Sequence, residues 1–216
     1  MIAIHRDPVH MIGSIGRRLR LVLRQPEQPA AAGRSGTGVL PEVEFVAFAE
    51  DGRLSGRIRL DSTRLTDMLN AHDEYELEEV LAEHLTNDET VVVANFVVRR
   101  GELLLVCANG PRGDRELRRR TIARGMAVGI GPYLVTGDVH ALAGVDPIVF
   151  FRRRRPMVPL TDAVIEYRGP HGLVREHVDT VVVNRDLVDW VDAAEPGGVA
   201  RDMAQNYSIR METPTR

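Results

Sequence analysis

The chain contains no lysine: all 28 of its basic residues are arginine. An electrostatic reading assigns that bias to bidentate anion recognition, which a guanidinium performs and an ammonium does not. GC-rich coding accounts for it more simply, and then it carries no functional information. Cysteine is nearly absent too. The single Cys107 excludes an internal disulfide and any Cys-rich zinc site. It lies in the apolar run Leu103-Leu104-Leu105-Val106-Cys107-Ala108, the setting of a buried, inert thiol; a reactive thiol needs an accessible, electropositive one. Aromatic residues make up only 5% of a chain that is 44% hydrophobic, so Val, Leu and Ile must fill the core. No uninterrupted apolar stretch approaches the roughly eighteen residues of a membrane span. Arg17, Arg18 and Arg20 break the apolar N-terminal segment, which therefore does not read as a secretory signal. A soluble cytoplasmic protein is expected, with contact of residues 9–24 to an anionic membrane surface as a variant. Net charge is −3 and the pI about 6.2, which argues against a general nucleic-acid coat protein.

Signatures of catalysis are missing as well. The histidines (His5, His10, His72, His84, His140, His171 and His177) form no His-x-x-x-His pair, although His171 and His177 flank a turn and could meet. Gly129-Ile130-Gly131-Pro132 has too few glycines, in the wrong frame, for a dinucleotide loop. There is no nucleophile elbow, P-loop or kinase signature. No catalytic residue, metal ligand or cofactor site is assigned, and the protein is expected not to be an enzyme.

What is present divides the chain into four parts. In residues 1–41, Ile12, Ile15, Leu19 and Val22 recur at helical spacing, bordered by Arg17, Arg18, Arg20 and Arg24. This predicts a basic amphipathic helix suited to a partner's groove, an anionic membrane or its own domain. A Pro/Ala/Gly-rich linker from Gln25 to Pro41 follows. Residues 42–110 and 111–194 each read as a β unit, and residues 195–216 as a loose tail. Within the first unit, alternation from Val43 to Ala49, the Asp51-Gly52 turn and the Ile58/Leu60 alternation predict a hairpin. Arg64 to Asn70 predicts a short helix capped by Asp61-Ser62-Thr63. Tyr75 to Glu83 is Glu-rich, yet its counterpart contains Pro159, which suits an edge strand. Arg115 to Arg124 predicts a short basic helix.

The two units read alike. Ser55-Gly56-Arg57-Ile58, Tyr75-Glu76-Leu77-Glu78-Glu79-Val80 and Thr90-Val91-Val92-Val93-Ala94-Asn95 recur in order as Thr136-Gly137-Asp138-Val139, Val158-Pro159-Leu160-Thr161-Asp162-Ala163-Val164 and Thr180-Val181-Val182-Val183-Asn184. The second unit resembles the Sm-like small β-barrel. The resemblance rests on Thr136-Gly137-Asp138-Val139, Leu160-Thr161-Asp162-Ala163-Val164 and Val183-Asn184-Arg185-Asp186-Leu187-Val188. Arg64-Leu65-Thr66-Asp67-Met68-Leu69-Asn70 is similar to a stretch of uncharacterised bacterial domains of that barrel type. The resemblance implies small β-barrels, and with the spacing read above the expected fold is mainly β: two related small β-barrel or half-barrel modules, an amphipathic N-terminal helix and few other helices. It also implies an RNA-binding alternative. Sm-like RNA sites place a basic-Gly turn before the last strand, where this chain has Asn184-Arg185 and Asn95-Phe96.

Charge marks the candidate sites. Arg152-Arg153-Arg154-Arg155 cannot share one face of a helix or strand, so a loop is expected. The matching stretch of the first unit carries Glu74, Glu76, Glu78 and Glu79. Opposite charge at matching positions suits copy-to-copy contact, within the chain or head to tail between chains. The expectation is a non-catalytic interaction or scaffolding protein. It would bind a protein partner, or itself as a homo-oligomer, through the N-terminal helix and these loops. The alternative is nucleic-acid binding through the same arginines with Arg118, Arg119, Arg120 and Arg185.

Overall fold

Strand periodicity governs the computed structural model, which describes residues 41–87, 89–110 and 121–194. Strands β1 (Glu42–Phe48) and β2 (Gly52–Arg59) form the hairpin turned at Asp51-Gly52. Helix α1 (Leu65–Ala71) follows, then β3 (Glu74–His84) and β4 (Thr90–Arg99), a 3₁₀ turn at Arg100–Glu102 and the short β5 (Leu105–Cys107). The same order then recurs: β6 (Ile122–Ile130), β7 (Tyr133–Ala141), α2 (Pro147–Arg152), β8 (Met157–Gly169), β9 (Gly172–Asn184), a 3₁₀ turn at Arg185–Leu187 and β10 (Trp190–Ala193). Among the described residues the chain is mainly β. All ten strands join one antiparallel sheet in the order β10-β6-β7-β8-β9-β5-β1-β2-β3-β4.

Two devices bend this sheet at matching places. The β2–β3 ladder slips between Ser55 and Arg57, at Gly56, and the β7–β8 ladder slips between Thr136 and Asp138, at Gly137. Opposite each slip a non-glycine residue takes a left-handed conformation, Glu79 at φ 52° and Asp162 at φ 48°. An extra residue on one strand forces this and sharpens the local twist. A Cβ on Gly56 would lie 2.9 Å from the Glu78 carbonyl oxygen, so the close crossing requires glycine there.

The middle strands separate two cores. Phe45 and Ala47 of β1 face one core, Val46 and Phe48 the other. Val106 and Val182 likewise join the first core, while Leu105, Cys107, Val181 and Val183 join the second. Burial on both faces is why these strands read as continuous apolar runs rather than alternations. Polar ties cross between sequence-distant elements. The Asn70 carboxamide, at the end of α1, accepts from Met157 N–H at 3.1 Å and donates to Met157 O at 2.8 Å. The buried Asn184 amide donates to the carbonyls of Arg100 and Leu103, each at 2.9 Å.

Several expectations change. Tyr75 to Glu83 lies within β3, an interior strand between β2 and β4. Pro159 also sits in an interior strand. The β7 ladder on β8 ends at Thr161, so the missing Pro159 N–H removes no hydrogen bond. The cap of α1 is Arg64, with no side-chain cap bond. The two Thr-Val-Val-Val stretches occupy different places: Glu78 pairs with Asn95 and Thr161 with Thr180, so Thr180 matches Asn95 rather than Thr90. Val181 to Val183 are accordingly core, whereas Val92 is 77% exposed. Arg124, expected in a helix, lies in β6; residues 115–120 of that prediction are outside the described residues. The predicted N-terminal helix and linker, through residue 40, and the tail from residue 195 are outside them too.

Candidate interaction surfaces

The arginine run forms at the end of a helix that its sequence starts well. Asp146 caps α2, its carboxylate accepting from Val149 N–H at 2.9 Å, and Pro147 occupies the first turn. The helix ends after one and a half turns at Arg152, with Arg153 as its C-cap, and Arg154 and Arg155 lead into β8. Arg154 lies over the Phe150 ring, 4.3 Å from its centroid, and partial burial lowers its pKa. Arg152, Arg153 and Arg155 are exposed.

Arg185 holds this link from beneath. Its backbone N–H donates to Pro156 O at 2.8 Å. Its guanidinium donates to Arg152 O at 3.0 Å, to Arg154 O, and to the Asp186 carboxylate at 2.7 Å. The residue named for nucleic-acid contact is therefore committed to shaping the loop that presents the other arginines. Arg100 occupies the matching place in the first half. Its N–H donates to Asp73 O at 2.8 Å, and its guanidinium reaches His72 O at 3.3 Å and the Asp73 carboxylate. The sequence comparison missed this pair. The signal was available as an arginine opening each 3₁₀ turn, but misaligning the valine runs hid it.

The acidic face lies on β3. Glu74, Glu76, Glu78 and Glu79 are exposed, alternating with the buried Tyr75, Leu77 and Val80. Glu74 pairs with Arg99 at 3.0 Å and Glu79 with Arg57 at 2.5 Å. These exposed pairs contribute about 0–1 kcal/mol each. Among the described residues no ion pair joins these glutamates to Arg152–Arg155. Within one chain the two charged surfaces do not meet, and the strand register matches Glu74, Glu76, Glu78 and Glu79 to Met157, Pro159, Thr161 and Asp162, just after the arginine run rather than on it. Ile12, Ile15, Leu19 and Val22, and Arg118, Arg119 and Arg120, lie outside the described residues.

Cys107 is buried, and that burial pushes its thiol up to about 11, with Glu176 adding to the shift. Its neighbourhood is a packed seam. Phe48, Tyr133 and Tyr167 meet edge to face with centroids 5.4–5.8 Å apart. The Tyr133 hydroxyl donates to Ala49 O at 2.8 Å, and Tyr167 donates to Glu176 at 2.5 Å. Arg53 lies 3.8 Å from both Glu83 and Glu176. Among the described residues no group of three or more His, Cys, Asp or Glu side chains could hold a metal ion. No helix among them is long and apolar enough to cross a membrane.

One surface was not anticipated. Among the described residues the sheet ends on β4 and β10, each paired there on one side only. From Thr90 to Val98, β4 carries no charge and no proline. Proteins ordinarily guard an edge strand with exactly those residues, because unpaired N–H and C=O groups recruit other strands. No protein-family model, no curated protein and no solved structure matches this chain.

Proposed function

We propose that this protein is a non-catalytic interaction protein that assembles with further copies of itself through its oppositely charged links. The two halves are read as related small β-barrel-like modules of Sm-like type. What supports this is the repeated element order, the matched bends at Gly56 and Gly137, and the return of β5 to β1 and of β10 to β6. One observation carries the functional reading. The helix-to-strand link, gripped from below by Arg100 or Arg185, carries Asp73 and Glu74 in one half and Arg152 to Arg155 in the other. A loop built the same way twice, with opposite sign, is complementary to itself between chains. A heterologous contact of that kind builds rings or filaments.

Charge reversal tests the reading. Changing Arg152, Arg153 and Arg155 to Glu is expected to lower the mass seen by light scattering, and raised salt should weaken the wild-type assembly. Unchanged mass at low and high salt would contradict it. The second reading, nucleic-acid binding through the exposed arginines, is favoured by the preorganised loop and weakened by the internal commitment of Arg185. It predicts salt-dependent RNA binding in a gel shift, lost in the same variant.

A further inference from the structure

The chain contains a worked example of how one half joins another. In that junction β5 and β9 pair antiparallel, with Val106 opposite Val182, Leu105 opposite Val183 and Cys107 opposite Val181. Asn184 N–H donates to Leu104 O and Ala108 N–H to Thr180 O, each at 2.9 Å. The counterparts of these two strands are β10 and β4, the two edges of the sheet among the described residues. Both β5 and β10 follow a 3₁₀ turn at the same distance, so Leu105-Val106-Cys107 match Trp190-Val191-Asp192. Both β4 and β9 run directly into that turn, so Phe96-Val97-Val98 match Val181-Val182-Val183.

We propose that β10 of one copy pairs antiparallel with β4 of a second copy, in the register that β5 and β9 hold inside the chain. Val191 then lies opposite Val97, Trp190 opposite Val98 and Asp192 opposite Phe96. The backbones are turned for it. Arg100 N–H donates to Asp73 O, so Phe96 and Val98 face β3, and Asn95 and Val97 turn their N–H and C=O to the open side. Ala194 N–H donates to Gly125 O, so Val191 and Ala193 turn theirs away from β6. The uncharged run from Thr90 to Val98 gives a second strand nothing to repel it.

Charge selects the occupant. In the internal junction the end of α1 meets the start of β8, where Asn70 bonds Met157. The matching elements at the open edges are the end of α2 and the start of β3. The pairing therefore brings Arg152 and the arginines after it toward Asp73 and Glu74 of the next copy. That position is neutral inside the chain and oppositely charged between chains. The inference rests on the self-assembly reading and adds the strand pairing and its register to it.

The test uses the full chain. Wild type is expected to scatter light as a multiple of 24.0 kDa. Val97→Pro removes an N–H that points away from β3, so its circular dichroism and melting should stay close to wild type while its mass falls to 24.0 kDa. Should that variant unfold, cysteine trapping decides. Mixed populations of Val97→Cys and Val191→Cys should form a disulfide-linked dimer on mild oxidation, and a mixture of Val92→Cys with Val191→Cys should not. A monomeric wild type, the outcome if residues of the same chain cover β4, overturns the proposal. So does a Val97→Pro protein that keeps its mass, or the absence of cross-linking above the control. If Val97→Pro stays assembled while charge reversal dissociates it, the strand pairing is wrong and the charged-link reading stands.

Discussion

Tyr75 shows what single side chains do in this fold. Its ring is buried in the first core, and the single proton of its hydroxyl is shared between Leu69 O at 2.7 Å and His72 O at 2.8 Å, closing the end of α1. Burial pushes its pKa from 10.0 up to about 12, with Asp73 adding to the shift and Arg100 opposing it. The folded state thus holds the proton more tightly than the unfolded state. Its contribution to stability is complete below pH 10.0 and is lost as pH rises toward 12. Tyr75→Phe is expected to cost about 1–3 kcal/mol at neutral pH, because two carbonyls lose the one donor they share. In urea titrations the gap between the variant and wild type should narrow across that alkaline window; a constant gap would contradict this account. Cys107 follows the same logic. A thiol reagent should label the native protein slowly and urea-unfolded protein fast. Asn184→Ala strips the donor from Arg100 O and Leu103 O and should destabilise by about 2–4 kcal/mol by denaturant midpoint.

At the scale of elements, β10 is the weakest attachment in the sheet. It is four residues long and, among the described residues, its only strand partner is β6. Its anchor is Trp190 over Gly129, where an added Cβ would lie 2.1 Å from the indole Nε1. Gly129→Ala should therefore displace Trp190 at a cost of about 1–3 kcal/mol. Trp190 is the sole tryptophan, so fluorescence reads the displacement directly: a red-shifted emission is expected with the β-sheet circular dichroism retained. Most strands were legible in the sequence because alternation and turn glycines report local physics. The Asp51-Gly52 turn fell where expected, as did α1. Pairing was not legible. Pro159 read as an edge signal because sequence does not show where a ladder ends. The valine runs at Thr90 and Thr180 looked equivalent because composition does not reveal register. The open β4 edge escaped notice for the same reason: the run Thr90 to Val98 reads as core until its missing neighbour is seen.

For the whole molecule, one continuous sheet with bends at Gly56 and Gly137 sets opposite charge on two links of common construction. The candidate residues were readable as charge; their roles were not. Arg152 to Arg155 are shaped by Arg185, which sequence had grouped with them as a binding residue. The most direct measurement is the light-scattering mass of the full chain beside its Arg152→Glu, Arg153→Glu, Arg155→Glu variant, at low and at high salt. The account predicts a wild-type assembly larger than 24.0 kDa that shrinks with salt, and a variant at or near 24.0 kDa throughout. A variant with the wild-type mass at both salt concentrations would contradict it.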